Sequence, residues 1–214
     1  MEPTSKERIL KKIRKALIQS TPQPFLNIEQ NNSVYARPEE GLDVMFAQQF
    51  TAIQGNFIYC ENKMEFIKSL NTLCDEKGWN HLYAWERELQ TMFQDHDFRR
   101  CRIGVGLDKA DAGVTLCEML VARTGSILLS SRQESGRALS IFPPVHITVA
   151  YTSQLVYDLK EGLQHLMQKY EGNMPSMINI ATGPSRTADI EKTLVLGAHG
   201  PKEVFVFLIE DPVR

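Results

Sequence analysis

Short apolar runs alternate with amphipathic segments along most of this chain, and that alternation limits the folds open to it. Phe57-Ile58-Tyr59-Cys60, His81-Leu82-Tyr83-Ala84, the stretch 101–105, His146-Ile147-Thr148-Val149-Ala150 and the stretches 177–181 and 203–209 each suit one short buried strand. Between them lie segments of helical period. Leu42, Met45, Phe46, Gln49, Phe50 and Ile53 mark a helix over about 40–53. Asn62 and Glu65 have capping spacing and open a helix to about residue 73, with Phe66, Ile67 and Leu70 inward and Gly78 as its stop. A short helix is expected around 86–93, and Leu155, Leu159, Leu163, Leu166 and Met167 trace a longer one. Strands and helices alternating in this way specify an α/β protein with a mostly parallel sheet. With 214 residues, 43% of them hydrophobic, the chain has enough apolar surface to bury such a core.

Two regions depart from the alternation. Val, Leu and Ile crowd 114–131, interrupted at Thr124-Gly125, as expected of two strands meeting at a tight glycine turn. At the N-terminus Thr4 and Glu7 cap a helix whose Ile9, Leu10, Ile13 and Leu17 form one stripe, largely opposite Lys11, Lys12, Arg14 and Lys15. Such a basic face suits solvent on a docked helix, or else an acidic partner or membrane surface. Thr21-Pro22-Gln23-Pro24 ends this helix and polar sequence follows. The expected organisation is an N-terminal helix and linker arm over 1–32 and one α/β domain over 33–214.

Several function classes are disfavoured. A net charge of −2 supplies no global field for nucleic acid. No apolar run approaches the roughly 18 residues that span a bilayer, and the charged first turns are unlike a secretory leader, so a cytoplasmic protein is expected. Cys60, Cys74, Cys101 and Cys117 stand far apart, with no C-x-x-C pair. Metal knuckles and iron–sulfur sites draw ligands from tight clusters, so no metal and no cofactor is expected in this chain.

The most informative segment is Gly183-Pro184-Ser185-Arg186-Thr187-Ala188-Asp189-Ile190-Glu191. It follows an apolar strand and is read as opening a helix that Gly197 closes. A helix N-terminus at the carboxyl end of a strand presents free N–H groups to an anion. Gly183 allows close approach, Ser185 and Thr187 add hydroxyls, and Arg186 adds a planar fork. The competing reading is ordinary capping by Ser185 or Thr187, with Arg186 in solvent. His199, between glycines in Gly197-Ala198-His199-Gly200-Pro201, is either an acid–base group or a turn residue. The turn Thr124-Gly125-Ser126 and the polar loop ending in Arg137 offer further donors, and they are expected to face the Gly183 loop. His146, on an apolar strand after two prolines, is ambiguous.

The segments from Gly183 to Glu191 and from Gly197 to Pro201 resemble the C-terminal signature of the LutC/YkgG family, the LUD domain. Thr124-Gly125-Ser126 and Phe142-Pro143-Pro144-Val145-His146-Ile147 are similar to its central motif. The likeness covers about residues 100–210. It implies a three-layer α/β fold of the NagB/RpiA/CoA-transferase type around a mostly parallel central sheet. It also implies a role in oxidising L-lactate to pyruvate, as a subunit whose iron–sulfur clusters reside in partner proteins. The ligand residues it suggests are Thr124, Gly125, Ser126, Arg137, Gly183, Ser185, Arg186, Thr187 and His199, around a small carboxylate or other anion; it assigns no catalytic residue. In one respect the chain departs from the family. Arg123 stands where an acidic residue commonly precedes the Thr-Gly pair, and an arginine cannot act as the glutamate nucleophile of related CoA transferases. The alternatives are a free-standing enzyme on a sugar phosphate or acyl-CoA, and a non-catalytic ligand-binding module.

Overall fold

A computed structural model describes residues 4–18, 40–104, 106–187 and 195–211. The chain divides into two compact units, 1–37 and 38–214. In the first, helix α1 (Ser5–Ile18) begins at a reciprocal cap. The Thr4 amide donates to Glu7 Oε2 at 2.8 Å, and the Glu7 amide donates to Thr4 Oγ1 at 3.4 Å. The expected arm beyond this helix lies outside the described residues.

The second unit runs α2 (Leu42–Ala52), β1 (Asn56–Cys60), α3 (Lys63–Lys77), β2 (Leu82–Tyr83), α4 (Arg87–Asp95), β3 (Cys101–Arg102), β4 (Ala112–Leu116), β5 (Met119–Val121) and β6 (Ser126–Ser130). It continues with β7 (Val145–Tyr151), β8 (Leu155–Val156), α5 (Leu159–Lys169), β9 (Ile178–Ala181), β10 (Arg186–Thr187), β11 (Val195–Leu196) and β12 (Glu203–Ile209). A six-stranded sheet has the order β1-β12-β7-β4-β2-β3, and every neighbouring pair is parallel. A four-stranded sheet, β8-β5-β6-β9, is mostly antiparallel, and β10 and β11 form a hairpin.

The strand sequences explain the layers. Along β12, Phe205, Phe207 and Ile209 pack with Phe66 and Leu70 of α3 and Leu89 and Phe93 of α4. The alternate residues Val204, Val206 and Leu208 pack on the other face with Phe46 and Phe50 of α2 and with Ile127 and Leu129 of β6. A strand buried on both faces is a continuous apolar run, as in parallel sheets. In β6 the period again divides the residues, since Leu128 turns away to meet Val156 and Leu166 of α5. The result is the expected three-layer α/β fold: α3 and α4, then the parallel sheet, then α2 with the smaller sheet, which α5 covers.

Two local expectations need revision. The 114–131 stretch forms three strands, because the chain leaves the parallel sheet at Cys117-Glu118 and enters the smaller one. Leu155 belongs to β8, and α5 starts only after Asp158, whose carboxylate accepts from the Lys160 amide at 3.0 Å. The other cap is as read: Asn62 Oδ1 accepts from the Glu65 amide at 2.9 Å, and Gly78 closes α3 at φ +71°. Asn62→Ala is therefore expected to cost about 1 kcal/mol, measurable as a lower urea midpoint at unchanged slope. Among the described residues no helix is long and apolar enough to cross a membrane.

Candidate functional site

The carboxyl ends of parallel strands are where ligands collect in open α/β sheets. Here the loops after β2, β4 and β7 enclose a cavity of about 340 Å³. Glu86, Cys117, Gln133, Tyr151, Lys169 and Tyr170 are among its lining residues. The strand ends bring in Cys117 and Tyr151, α5 brings Lys169, and the polar loop after β6 supplies Arg132, Gln133 and Glu134.

Two buried carboxyls set the charge of the cleft: Glu86 lines it, and Glu118 lies behind the lining residues Lys169 and Tyr170. Glu86, the residue before α4, is 4% exposed. Its Oε2 accepts from the Leu116 amide at 2.7 Å, the Ser135 hydroxyl donates to the same carboxyl, and Gln133 Nε2 stands at a long 3.4 Å from Oε1. Burial pushes this carboxyl up to about 7, against the opposing hydrogen bonds from Leu116 and Ser135. Glu118 is 3% exposed and fully engaged. It accepts from Lys169 Nζ at 2.7 Å, Ser130 Oγ at 2.5 Å and the Tyr170 hydroxyl at 2.6 Å. Burial disfavours its charge, but the bonds from Lys169, Ser130 and Tyr170 outweigh that and hold it below the usual carboxylate range. Lys169 is held charged in return, its partial burial being outweighed by Glu118. One carboxyl thus exchanges a proton near neutrality while the other stays ionised, the separation that divides acid and base roles in catalytic and binding sites.

The rest of the rim is braced. Tyr151 donates to Glu88 Oε1 at 2.9 Å, and Glu134 Oε2 accepts from the Arg87 amide at 2.7 Å. Arg132 reaches the Asn173 carbonyl at 3.3 Å and also its side chain. Burial first, and then the neighbouring Glu118 and Glu86, push the Cys117 thiol up, which disfavours its thiolate.

The residues singled out from sequence divide between two places. Arg137 stays with the cleft's polar loop, its guanidinium donating to Ser176 Oγ at 2.6 Å. The others gather at the opposite, amino-terminal edge of the parallel sheet. There Thr124 Oγ1 and Ser126 Oγ lie 2.7 Å apart, and Ser126 Oγ and Thr182 Oγ1 2.8 Å apart, so the two loops do face each other. Gly125, at φ +60°, sits on the end of α2, and Gly183, at φ +79°, sits against the Ile53 carbonyl. The Ser185 amide donates to the Pro201 carbonyl, just ahead of β12.

The expected helix after Gly183 is corrected. Arg186 and Thr187 form β10, paired antiparallel with Leu196 and Val195 of β11, while residues 188–194 lie outside the described ones. The backbone donors attributed to a helix N-terminus are therefore used in part by the hairpin: Gly197 donates to the Ser185 carbonyl at 2.9 Å. Arg186 donates to the Ile53 carbonyl at 2.6 Å, and His199 is exposed in the turn beyond β11. The expectation of a carboxyl edge here failed because β9 joins the antiparallel sheet, so its end points to the other side of the molecule. Arg123 bonds Asp158 at 2.9 Å and so ties the β5–β6 turn to the start of α5. His146 is 1% exposed, bonded to Thr115 Oγ1 at 2.9 Å and pushed down to about 4 by burial, a neutral core residue.

Glu86, Glu118, Lys169 and Tyr170 escaped the sequence reading. Glu86 reads as an ordinary acid at a helix start and Lys169 as an ordinary base at a helix end. Only the fold brings Glu118 and Lys169 together.

The LUD domain family matches residues 81–209. A protein from Shouchella clausii (strain KSM-K16) named lactate utilization protein C is 37% identical over 188 residues, 81% of each chain. One of the same name from Bacillus subtilis (strain 168) is 34% identical over 106 residues, 49% of this chain and 44% of that one. The crystal structure of a DUF162 family protein from Deinococcus radiodurans has the same fold, with a TM-score of 0.57 at 18% identity over 78% of this chain and 96% of that one. The chain belongs to the LUD domain family, the family of these relatives named lactate utilization protein C.

Proposed function

We propose that this protein serves lactate utilisation in the cytoplasm, as a subunit without clusters of its own in an iron–sulfur system that oxidises L-lactate to pyruvate. The names of its relatives carry the process. The cysteines support the division of labour, since thiolates are the ligands clusters need and burial pushes the Cys60 and Cys74 thiols up to about 11. The clusters and the electron route then belong to partner proteins.

The observation that carries the ligand reading is the polarity of the carboxyl-edge cleft. Arg132 and Lys169 supply positive charge, and Glu86 is a proton-exchanging carboxyl on the same lining. A small monocarboxylate carrying an oxygen on the adjacent carbon matches both: its carboxylate is drawn to the cations, its second oxygen to Glu86. Removing a charged hydrogen-bond partner costs about 1.5–3 kcal/mol. Arg132→Ala is accordingly expected to weaken lactate or pyruvate binding at least tenfold in calorimetry, and Arg186→Ala to leave it unchanged. The opposite pattern would move the ligand to the cluster of Thr124, Ser126, Gly183 and Arg186 at the other edge.

A further inference from the structure

We infer that Glu86 makes the cleft choose between a 2-hydroxy acid and the corresponding 2-oxo acid according to whether its carboxyl carries a proton. This rests on the cleft being the carboxylate site. The two ligands have the same carboxylate and nearly the same size, so contacts with Arg132 and Lys169 cannot tell them apart. They differ at one oxygen: a hydroxyl both donates and accepts, whereas a carbonyl only accepts. A discriminating group must therefore change between donor and acceptor, and a carboxyl does so when it loses its proton.

Glu86 is the group placed for this. Its Oε2 accepts from the Leu116 amide, the Ser135 hydroxyl donates to the same carboxyl, and Gln133 Nε2 stands 3.4 Å from Oε1. With about four lone-pair sites on its two oxygens, the carboxyl keeps capacity for a ligand in the cleft it lines. Glu118, the other buried carboxyl, is committed to Lys169, Ser130 and Tyr170 and stays ionised. The charged and titratable groups around Glu86 come from several elements. Glu88 lies on its own helix and Glu134 and Arg132 on the loop after β6; Lys169 and Tyr170 come from the end of α5, Cys117 from the end of β4 and Tyr151 from β7. Glu134 and Glu88 add to the burial that keeps the proton on Glu86 up to about pH 7. Below that pH the neutral carboxyl donates to a 2-oxo oxygen. Above it the carboxylate accepts from a 2-hydroxyl and faces a carbonyl lone pair with no proton between them. Ionised Glu86 also repels the carboxylate of either ligand, but that repulsion is common to both and cancels in the ratio of their affinities.

The experiment is titration calorimetry of the full chain with L-lactate and with pyruvate at pH 6 and pH 8, for wild type and for Glu86→Gln, which keeps the shape and cannot ionise. Lactate should gain on pyruvate by about tenfold between the two pH values in the wild type, with no such change in the variant. If both ligands bind and the wild-type ratio is the same at both pH values, the inference is wrong while the cleft reading stands. A shift that persists in Glu86→Gln also overturns it, and so does binding of neither ligand at either pH, which removes the cleft reading with it.

Discussion

Lys169→Met is expected to destabilise the protein by about 2–3 kcal/mol at neutral pH. Breaking a buried ion pair from one side leaves the remaining charge uncompensated, at a cost of about 3–5 kcal/mol when both partners are buried. Here the Glu118 side chain is 1% exposed but the Lys169 side chain is 57% exposed, so water already competes for the ammonium and the lower figure applies. Ser130 and Tyr170 remain to hold the carboxylate. The pH dependence has a definite sign. Glu118 is held below its ordinary range in the folded state, so its contribution is present above that range and is lost as pH falls through the depressed value. The gap between wild type and variant should therefore be widest near neutrality and narrow in acid. Combining Lys169→Met with Glu118→Gln should recover much of the loss, because no unpaired charge is then buried. Urea denaturation at several pH values measures the wild type and both variants, and a loss below about 0.5 kcal/mol in Lys169→Met would contradict the assigned geometry.

Gly125→Ala should cost at least as much, and its effect should fall on stability and leave ligand binding alone. At φ +60° a side chain is strained by roughly 1–2 kcal/mol. The added Cβ would also lie 2.6 Å from the Phe50 amide nitrogen and 2.8 Å from the Gln49 carbonyl carbon. These are backbone atoms of α2, which cannot rotate aside, and forced overpacking adds about 1–3 kcal/mol. Together they predict a loss of about 3 kcal/mol, seen as a fall in melting temperature. Gly125 lies at the edge remote from Glu86, so protein that remains folded should bind lactate or pyruvate as the wild type does. Normal stability with lost binding would instead place the ligand beside Thr124 and Ser126.

These two variants mark what can be read from the chain alone. The layers are legible because β12 is apolar at every position after Glu203 and helices α2 to α5 each bury one side, and those patterns are local. The caps at Thr4 and Asn62 are local too. Which sheet a strand joins is a matter of long-range pairing: β9 follows α5 much as other strands follow helices, yet it pairs antiparallel with β6. That one pairing reverses the side of the molecule on which Gly183 emerges. The segment after Gly183 has polar and apolar spacing compatible with a helix, but Arg186 and Thr187 find strand partners in Leu196 and Val195. Nothing in the neighbourhood of Glu86 announces its burial, since the amide that holds it belongs to Leu116. The same holds for Glu118, whose ammonium partner arrives at the end of a helix in the covering layer. The polar loop with Arg132 and Arg137 was legible as a loop; the buried carboxyls near it were not.

The central claim, that this protein contributes to lactate oxidation only together with partners that carry the clusters, is tested most directly by an anaerobic lactate-to-dye electron-transfer assay. Oxidising lactate requires an electron acceptor held against the substrate carbon. The pure chain is expected to reduce no dye with lactate, and turnover is expected to appear when the iron–sulfur partner proteins are added. Robust turnover by the chain alone would contradict the account.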